Sequence, residues 1–115
     1  MKKLLFALCT AFFMLTGCGQ NDGFDSGKIY YFYAENCGHC RAASAYINKH
    51  HPALEMVKVD VATKEGFDLM VKAAKKFKLG NQIGTPMFVI GDNYVMGWAP
   101  RQTAKFEALI KPYLK

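Results

Sequence analysis

The chain is predicted to be an α/β protein: a four-stranded mixed sheet flanked by helices on both faces. Three observations predict it. A run of strand-forming residues, Ile29-Tyr30-Tyr31-Phe32-Tyr33, is followed by helix-compatible sequence from Arg41 to Asn48 and a second strand pattern from Leu54 to Val61. Apolar residues at spacings of three and four then place Phe67, Met70, Val71, Ala74 and Phe77 on one helical face. Finally, two short apolar runs flank Gly91-Asp92-Asn93, the pattern of a hairpin. A strand–helix–strand unit followed by helix, hairpin and helix builds one sheet with helices packed on it.

In the second strand, apolar and polar residues alternate through Met56, Val57, Lys58, Val59 and Asp60. Thr63 suits the N-cap of the next helix, because its hydroxyl can accept a first-turn N–H. Gly80 suits the C-terminal cap. The hairpin strands are Met87-Phe88-Val89-Ile90 and Tyr94-Val95-Met96. The last helix carries Phe106, Leu109, Ile110, Tyr113 and Leu114 on one face, and Pro112 kinks it or ends it early. Trp98 is expected to pack in the core or at its rim. His50 and His51 end the first helix, where the helix dipole favours cations, and read as surface residues.

Cys37-Gly38-His39-Cys40 carries the chemistry. A strand delivers two cysteines, spaced to close a small ring, to the start of a helix. The free N–H groups and partial positive charge at that helix N-terminus favour a thiolate on the first cysteine. Cys37 is the expected nucleophile and Cys40 the resolving thiol. His39 places a donor or positive charge near the Cys37 sulfur. Zinc would find thiol and imidazole ligands here, but His39 between two thiols on one turn closes a tetrahedron poorly, and neither metal nor cofactor is expected.

The first residues address the chain. Lys2 and Lys3 precede an apolar run from Leu4 to Leu15, which falls short of the roughly 20 residues a membrane span needs. Leu15-Thr16-Gly17-Cys18 resembles the lipobox of bacterial lipoproteins, which implies a signal peptide over 1–17 and a lipidated Cys18. Cys9 then leaves with the signal, and Cys37 and Cys40 remain as an even pair in a disulfide-permissive compartment. Residues 18–27 read as the lipidated cysteine and a flexible tether reaching roughly 15–20 Å, and residues 28–115 as one domain. Without Lys2 and Lys3 the formal charge falls from +6 to +4, with thirteen basic and nine acidic residues. The cluster Lys72, Lys75, Lys76 and Lys78 reads as a solvated helix face, with attraction to anionic headgroups as an alternative and nucleic acid disfavoured.

From Lys28 to Leu114 the chain resembles the thioredoxin fold in its minimal form. Phe32-Tyr33-Ala34 before Cys37-Gly38-His39-Cys40 looks like protein disulfide isomerase domains, and Lys58-Val59-Asp60 like their second strand. Gly84-Thr85-Pro86, with Val89, Gly91, Val95, Gly97 and Pro100, looks like bacterial Dsb-type isomerase catalytic domains. The resemblance implies a cis Pro86 facing the cysteines and a Thr85 backbone that pairs with an extended substrate. By analogy with the histidine-containing isomerase pair it also implies a potential of about −180 mV. Two positions depart from the family. Tyr31 stands where many members bury an acid that accepts the resolving thiol's proton, so Glu35 and Lys58 become the candidate relays. Glu35-Asn36 stands in place of Pro-Trp, which changes the substrate-facing surface.

The expected function is a monomeric, extracytoplasmic thiol–disulfide oxidoreductase, lipid-anchored to a bacterial membrane and exchanging disulfides with exported proteins. Where two membranes exist the outer one is favoured, because Gly19 stands where an inner-membrane retention signal places Asp. An unknown redox partner sets the direction. The alternatives are a redox module serving one metal- or haem-assembly partner, and a glutaredoxin-like reductase. The latter family's glutathione-binding Gly-plus-acid pattern is missing at Trp98-Ala99-Pro100.

Overall fold

Ile29–Tyr33 forms the first strand, β1, at the centre of the sheet in the computed structural model, which describes residues 23–114. The expected signal peptide, Cys18 and the start of the tether lie outside the described residues. Helix α1 follows over Gly38–His50, strand β2 over Val57–Asp60 and helix α2 over Lys64–Lys76. Strands β3, Met87–Ile90, and β4, Asn93–Met96, form the hairpin. Helix α3 spans Pro100–Ile110 and tightens into a 3-10 turn over Lys111–Tyr113 at Pro112.

The strand order is β2-β1-β3-β4. β1 and β2 run parallel, with Tyr31 opposite Lys58, while β3 is antiparallel to β1, with Phe32 opposite Met87. The apolar run of β1 makes sense in this position. A strand covered on both faces has no polar side, so its first four residues are buried and Tyr33 partly so. Ile29 and Tyr31 point into a cluster with Ala43 and Ile47 of α1 and Phe106 and Ile110 of α3. Tyr30 and Phe32 point the other way, onto Met70 and Ala73 of α2. Each fully buried large side chain, such as Phe32, Phe88 or Phe106, contributes about 1.5–3 kcal/mol of transfer free energy. Among the described residues no helix is long and apolar enough to cross a membrane.

Two expectations about α2 are corrected. Its buried side consists of Gly66, Met70, Ala73 and Ala74, while Phe67 is 49% exposed. The three–four spacing placed Phe67 one step round the helix from the packed stripe. Gly66 is packed because a Cβ there would run into the Asp60 carbonyl, so the helix lies directly on the turn that leads into it. Nor does Gly80 close the helix. Lys78 takes φ 58°, the Leu79 N–H reaches the Ala74 carbonyl at 2.8 Å, and the Lys78 N–H reaches Lys75. That is a Schellman closure with lysine in the left-handed position. Thr63 is the N-cap, its hydroxyl accepting the Gly66 N–H at 2.9 Å. The second strand is also shorter than its alternation suggested, with Leu54 and Met56 packing against the core as loop residues. The hairpin closes with two residues between Ile90 and Asn93, and Gly91 supplies the positive φ of the first turn position.

Candidate active site

β1 hands the chain through Ala34–Asn36 to Cys37, the N-cap of α1. Helix starts leave N–H groups unpaired, and here a sulfur answers one of them: Cys37 Sγ accepts the Cys40 N–H at 3.1 Å. The first turn of α1 contains no acidic residue, which leaves the positive end of the helix dipole beside that sulfur. Cys37 and Cys40 are joined as a disulfide, with Cα atoms 5.1 Å apart. Cys40 is 3% exposed and packed, whereas Cys37 is half-buried. Of the two sulfurs, then, Cys37 is the one open to an incoming thiolate. His39 lies between them on the exposed side of the first turn.

The Thr85–Pro86 peptide bond is cis. Pro86 is fully buried, and its carbonyl accepts the Gly97 N–H at 2.8 Å. Because Met87 pairs with Phe32 in antiparallel register, Thr85 and Pro86 enter the sheet beside the end of β1 that leads to Cys37. The fold thus brings Cys37, Cys40, Thr85 and Pro86 to the same end of the two central strands.

A solved structure titled as a buckwheat glutaredoxin–glutathione complex is similar to this chain, with a TM-score of 0.53 at 14% identity. The match covers 75% of this chain and 74% of that one. The fold is the thioredoxin fold. No family model matches the chain, and no curated protein does. A cysteine pair at the start of the helix after the central strand of this fold is placed for thiol–disulfide redox chemistry.

The candidate relay residues sit in different elements. Glu35 is exposed in the turn before Cys37, where its backbone carbonyl accepts Arg41 Nη1 at 3.1 Å. Lys58 is exposed on the edge strand β2 and lines a cleft of about 320 Å³ together with Tyr31 and Ser44. Tyr31 itself is 2% exposed and stacks on Phe88, with ring centroids 4.7 Å apart. Its hydroxyl donates to the Cys40 carbonyl at 2.9 Å and lies 2.8 Å from Ser44 Oγ. One phenolic proton serves one acceptor, so Ser44 is the donor in the second bond. Burial pushes the Tyr31 phenol above its usual range despite the bond from Ser44. Tyr31 therefore fixes the backbone of Cys40 and keeps its own proton.

A second cluster corrects the expectation that His51 is a surface residue, since its side chain is 15% exposed and bound to α3. Tyr46 donates to Glu107 Oε2 at 2.6 Å, and His51 Nε2 meets the same oxygen at 2.8 Å. A carboxylate only accepts, so the His51 ring donates through Nε2. Burial pushes the Glu107 carboxyl up, but the bonds from Tyr46 and His51 outweigh it and hold it below the usual range. Tyr46 is pushed up, first by its bond to Glu107 and then by burial. The cluster ties the C-terminal end of the cysteine-bearing helix to α3. No sequence signal reaches these contacts, which join residues 61 and 56 positions apart. Tyr31 was within reach, since its alternation with Ile29 puts it on the α1 side of β1.

Among the described residues no group of three histidines, cysteines and acids is placed to hold a metal ion. His50 stacks against Tyr46, and Trp98 packs between Tyr46, Phe88 and Phe106.

Proposed function

We propose that this chain is a membrane-tethered, extracytoplasmic thiol–disulfide oxidoreductase that exchanges disulfides with exported proteins. The observation that carries the exchange chemistry is the asymmetry of the pair: an accessible Cys37 sulfur at a helix N-cap and a buried Cys40. In the oxidising direction a substrate thiolate attacks Cys37 Sγ. The bond between Cys37 and Cys40 breaks, and the electron pair leaves on Cys40, which takes up a proton. A second substrate thiolate then attacks the substrate sulfur of the mixed disulfide. Cys37 leaves as a thiolate, the substrate holds the new disulfide, and the pair has gained two electrons. Reduction is the same sequence reversed, with Cys37 attacking first and Cys40 resolving.

In this reading His39 stabilises the Cys37 thiolate, and Thr85 next to the cis Pro86 offers its backbone to an extended substrate. Glu35 and Lys58 are the candidate acceptors of the Cys40 proton. Lipid on Cys18 holds the domain to the membrane, and the leader and the lone cysteine pair are what support that part of the reading. The buckwheat neighbour is a glutathione complex, but its likeness extends to the fold, and Trp98-Ala99-Pro100 offers no acid for a glutathione terminus.

The test is acid-quenched thiol trapping in intact cells, together with the variant C40S. Trapping reports whether the pair is kept as a disulfide or as a dithiol, and so the direction. C40S is expected to accumulate mixed disulfides with exported proteins through Cys37. Failure to capture any exported protein, with wild-type cysteines that never change redox state, would refute the proposal.

A further inference from the structure

Half of the chain's formal charge of +6 sits in one short element. From Lys64 to Lys78 there are five lysines and two acids, a net +3. Two ion pairs engage the ends of this stretch, Lys64 with Asp68 and Lys76 with Asp92. Lys72 and Lys75 are exposed on the outward side of α2 and have no acidic partner among the described residues. On the same helix Phe67 is 49% exposed, an aromatic side chain of the kind that sits at a membrane interface.

The described chain begins against this helix. A Cβ built on Gly23 would lie 3.1 Å from Lys72 Cδ and 3.5 Å from Leu69 Cδ1. Phe24 then packs on Tyr30 and Phe32, on the face of the sheet that α2 covers. Only five residue steps separate Gly23 from Cys18, which span roughly 18 Å at full extension. A lipid on Cys18 would therefore keep the bilayer within that reach of α2.

We infer that the outer face of α2 docks on an anionic bilayer surface, with Lys72 and Lys75 against the headgroups and Phe67 at the interface. The inference rests on the lipid-anchor reading of Cys18 and deepens it, since it gives the tethered domain a fixed orientation. Charge complementarity selects the occupant, and each lysine near such a surface adds about fivefold to binding. Docked this way, the end of the sheet that carries Cys37 faces sideways along the membrane, open to exported chains.

The experiment uses the full chain, expressed with its leader in a bacterium that processes lipoproteins and reconstituted into two kinds of vesicle. One is phosphatidylcholine alone, and the other is phosphatidylcholine mixed with phosphatidylglycerol. Vesicle flotation is measured first. Lysine acetylation by a membrane-impermeant reagent is then followed site by site. With phosphatidylglycerol present, Lys72 and Lys75 are expected to label at least about fivefold more slowly, while Lys49 and Lys111 on the other side of the sheet do not change. High salt should abolish the difference, and F67S should reduce it. Flotation with equal labelling in both vesicles overturns the docking and leaves the anchor standing, as does protection spread equally over Lys49 and Lys111. Failure to float with either vesicle overturns the anchor and the docking with it.

Discussion

Tyr31 shows how one residue can occupy a position of expected chemistry and do something else there. Its phenol is buried, pushed above its usual range by that burial, and committed to the Cys40 carbonyl. A group that stays protonated at working pH can hold the helix start in place, but it cannot take a proton from a thiol. Y31F is therefore expected to destabilise the fold by about 1 kcal/mol, the net worth of one buried hydrogen bond. The pH profile of disulfide exchange should keep its shape, and stopped-flow exchange against a model disulfide would check it. A shifted profile would return Tyr31 to the relay. Glu107 makes the complementary case for pH. Its folded carboxyl lies below the usual range, so its contribution is complete above the unfolded value and is lost as pH falls through the folded one. E107Q should be less stable than wild type above about pH 5, with the gap closing as acid protonates the wild-type carboxyl. With 34% of the Glu107 side chain exposed, the gap should stay below about 1 kcal/mol. Urea midpoints across the acid range measure it, and a gap that persists in acid would show that the cluster acts by packing alone.

At the scale of elements, legibility followed the range of the forces involved. β1 was readable to the residue because five strand formers in a row meet a turn at each end. The Thr63 cap was readable because its partner, Gly66, lies three residues away. The edges of β2 were not, because among the described residues β1 is the only strand that pairs with it and that contact is non-local. Phe67 was misplaced for a related reason. Spacing defines a stripe but not its centre, and the tight seat of Gly66 on Asp60 turns α2 so that Phe67 looks outward. The end of α2 gives the prediction at this scale. A left-handed lysine carries a Cβ penalty that glycine avoids, partly offset by the greater freedom of glycine in the unfolded chain. K78G is expected to raise stability by about 0.5–1 kcal/mol, seen as a higher urea midpoint at unchanged slope. A loss of stability would mean that the helix closes in some other way.

For the whole molecule, the pair, its helix and the proline turn could be read from sequence because each is a short motif. How the site is braced could not, since the Tyr46–Glu107–His51 tie exists only once α1 and α3 share a face of the sheet. That bracing matters because redox chemistry and folding are two sides of one thermodynamic cycle. The reduced and oxidised folds differ in stability by the amount that the folded pair's potential departs from that of the same pair in the unfolded chain. The N-cap geometry indicates the sign. A sulfur that accepts a helix N–H at the positive end of the helix dipole is held more strongly as a thiolate than as a neutral disulfide. In the proposed reading His39, in the same turn, acts in the same direction. Reduction should therefore stabilise the fold, and the reduced protein should unfold at higher urea than the oxidised one. For a two-electron couple, each 30 mV of oxidising shift corresponds to about 1.4 kcal/mol of that difference. Equilibration with glutathione gives the folded potential, expected near −180 mV, and the two denaturation curves give the stability gap. H39A should move both quantities together, lowering the potential and narrowing the gap. An oxidised form that is the more stable of the two would mean that the helix start favours the disulfide, and the pair would then serve as a reductant.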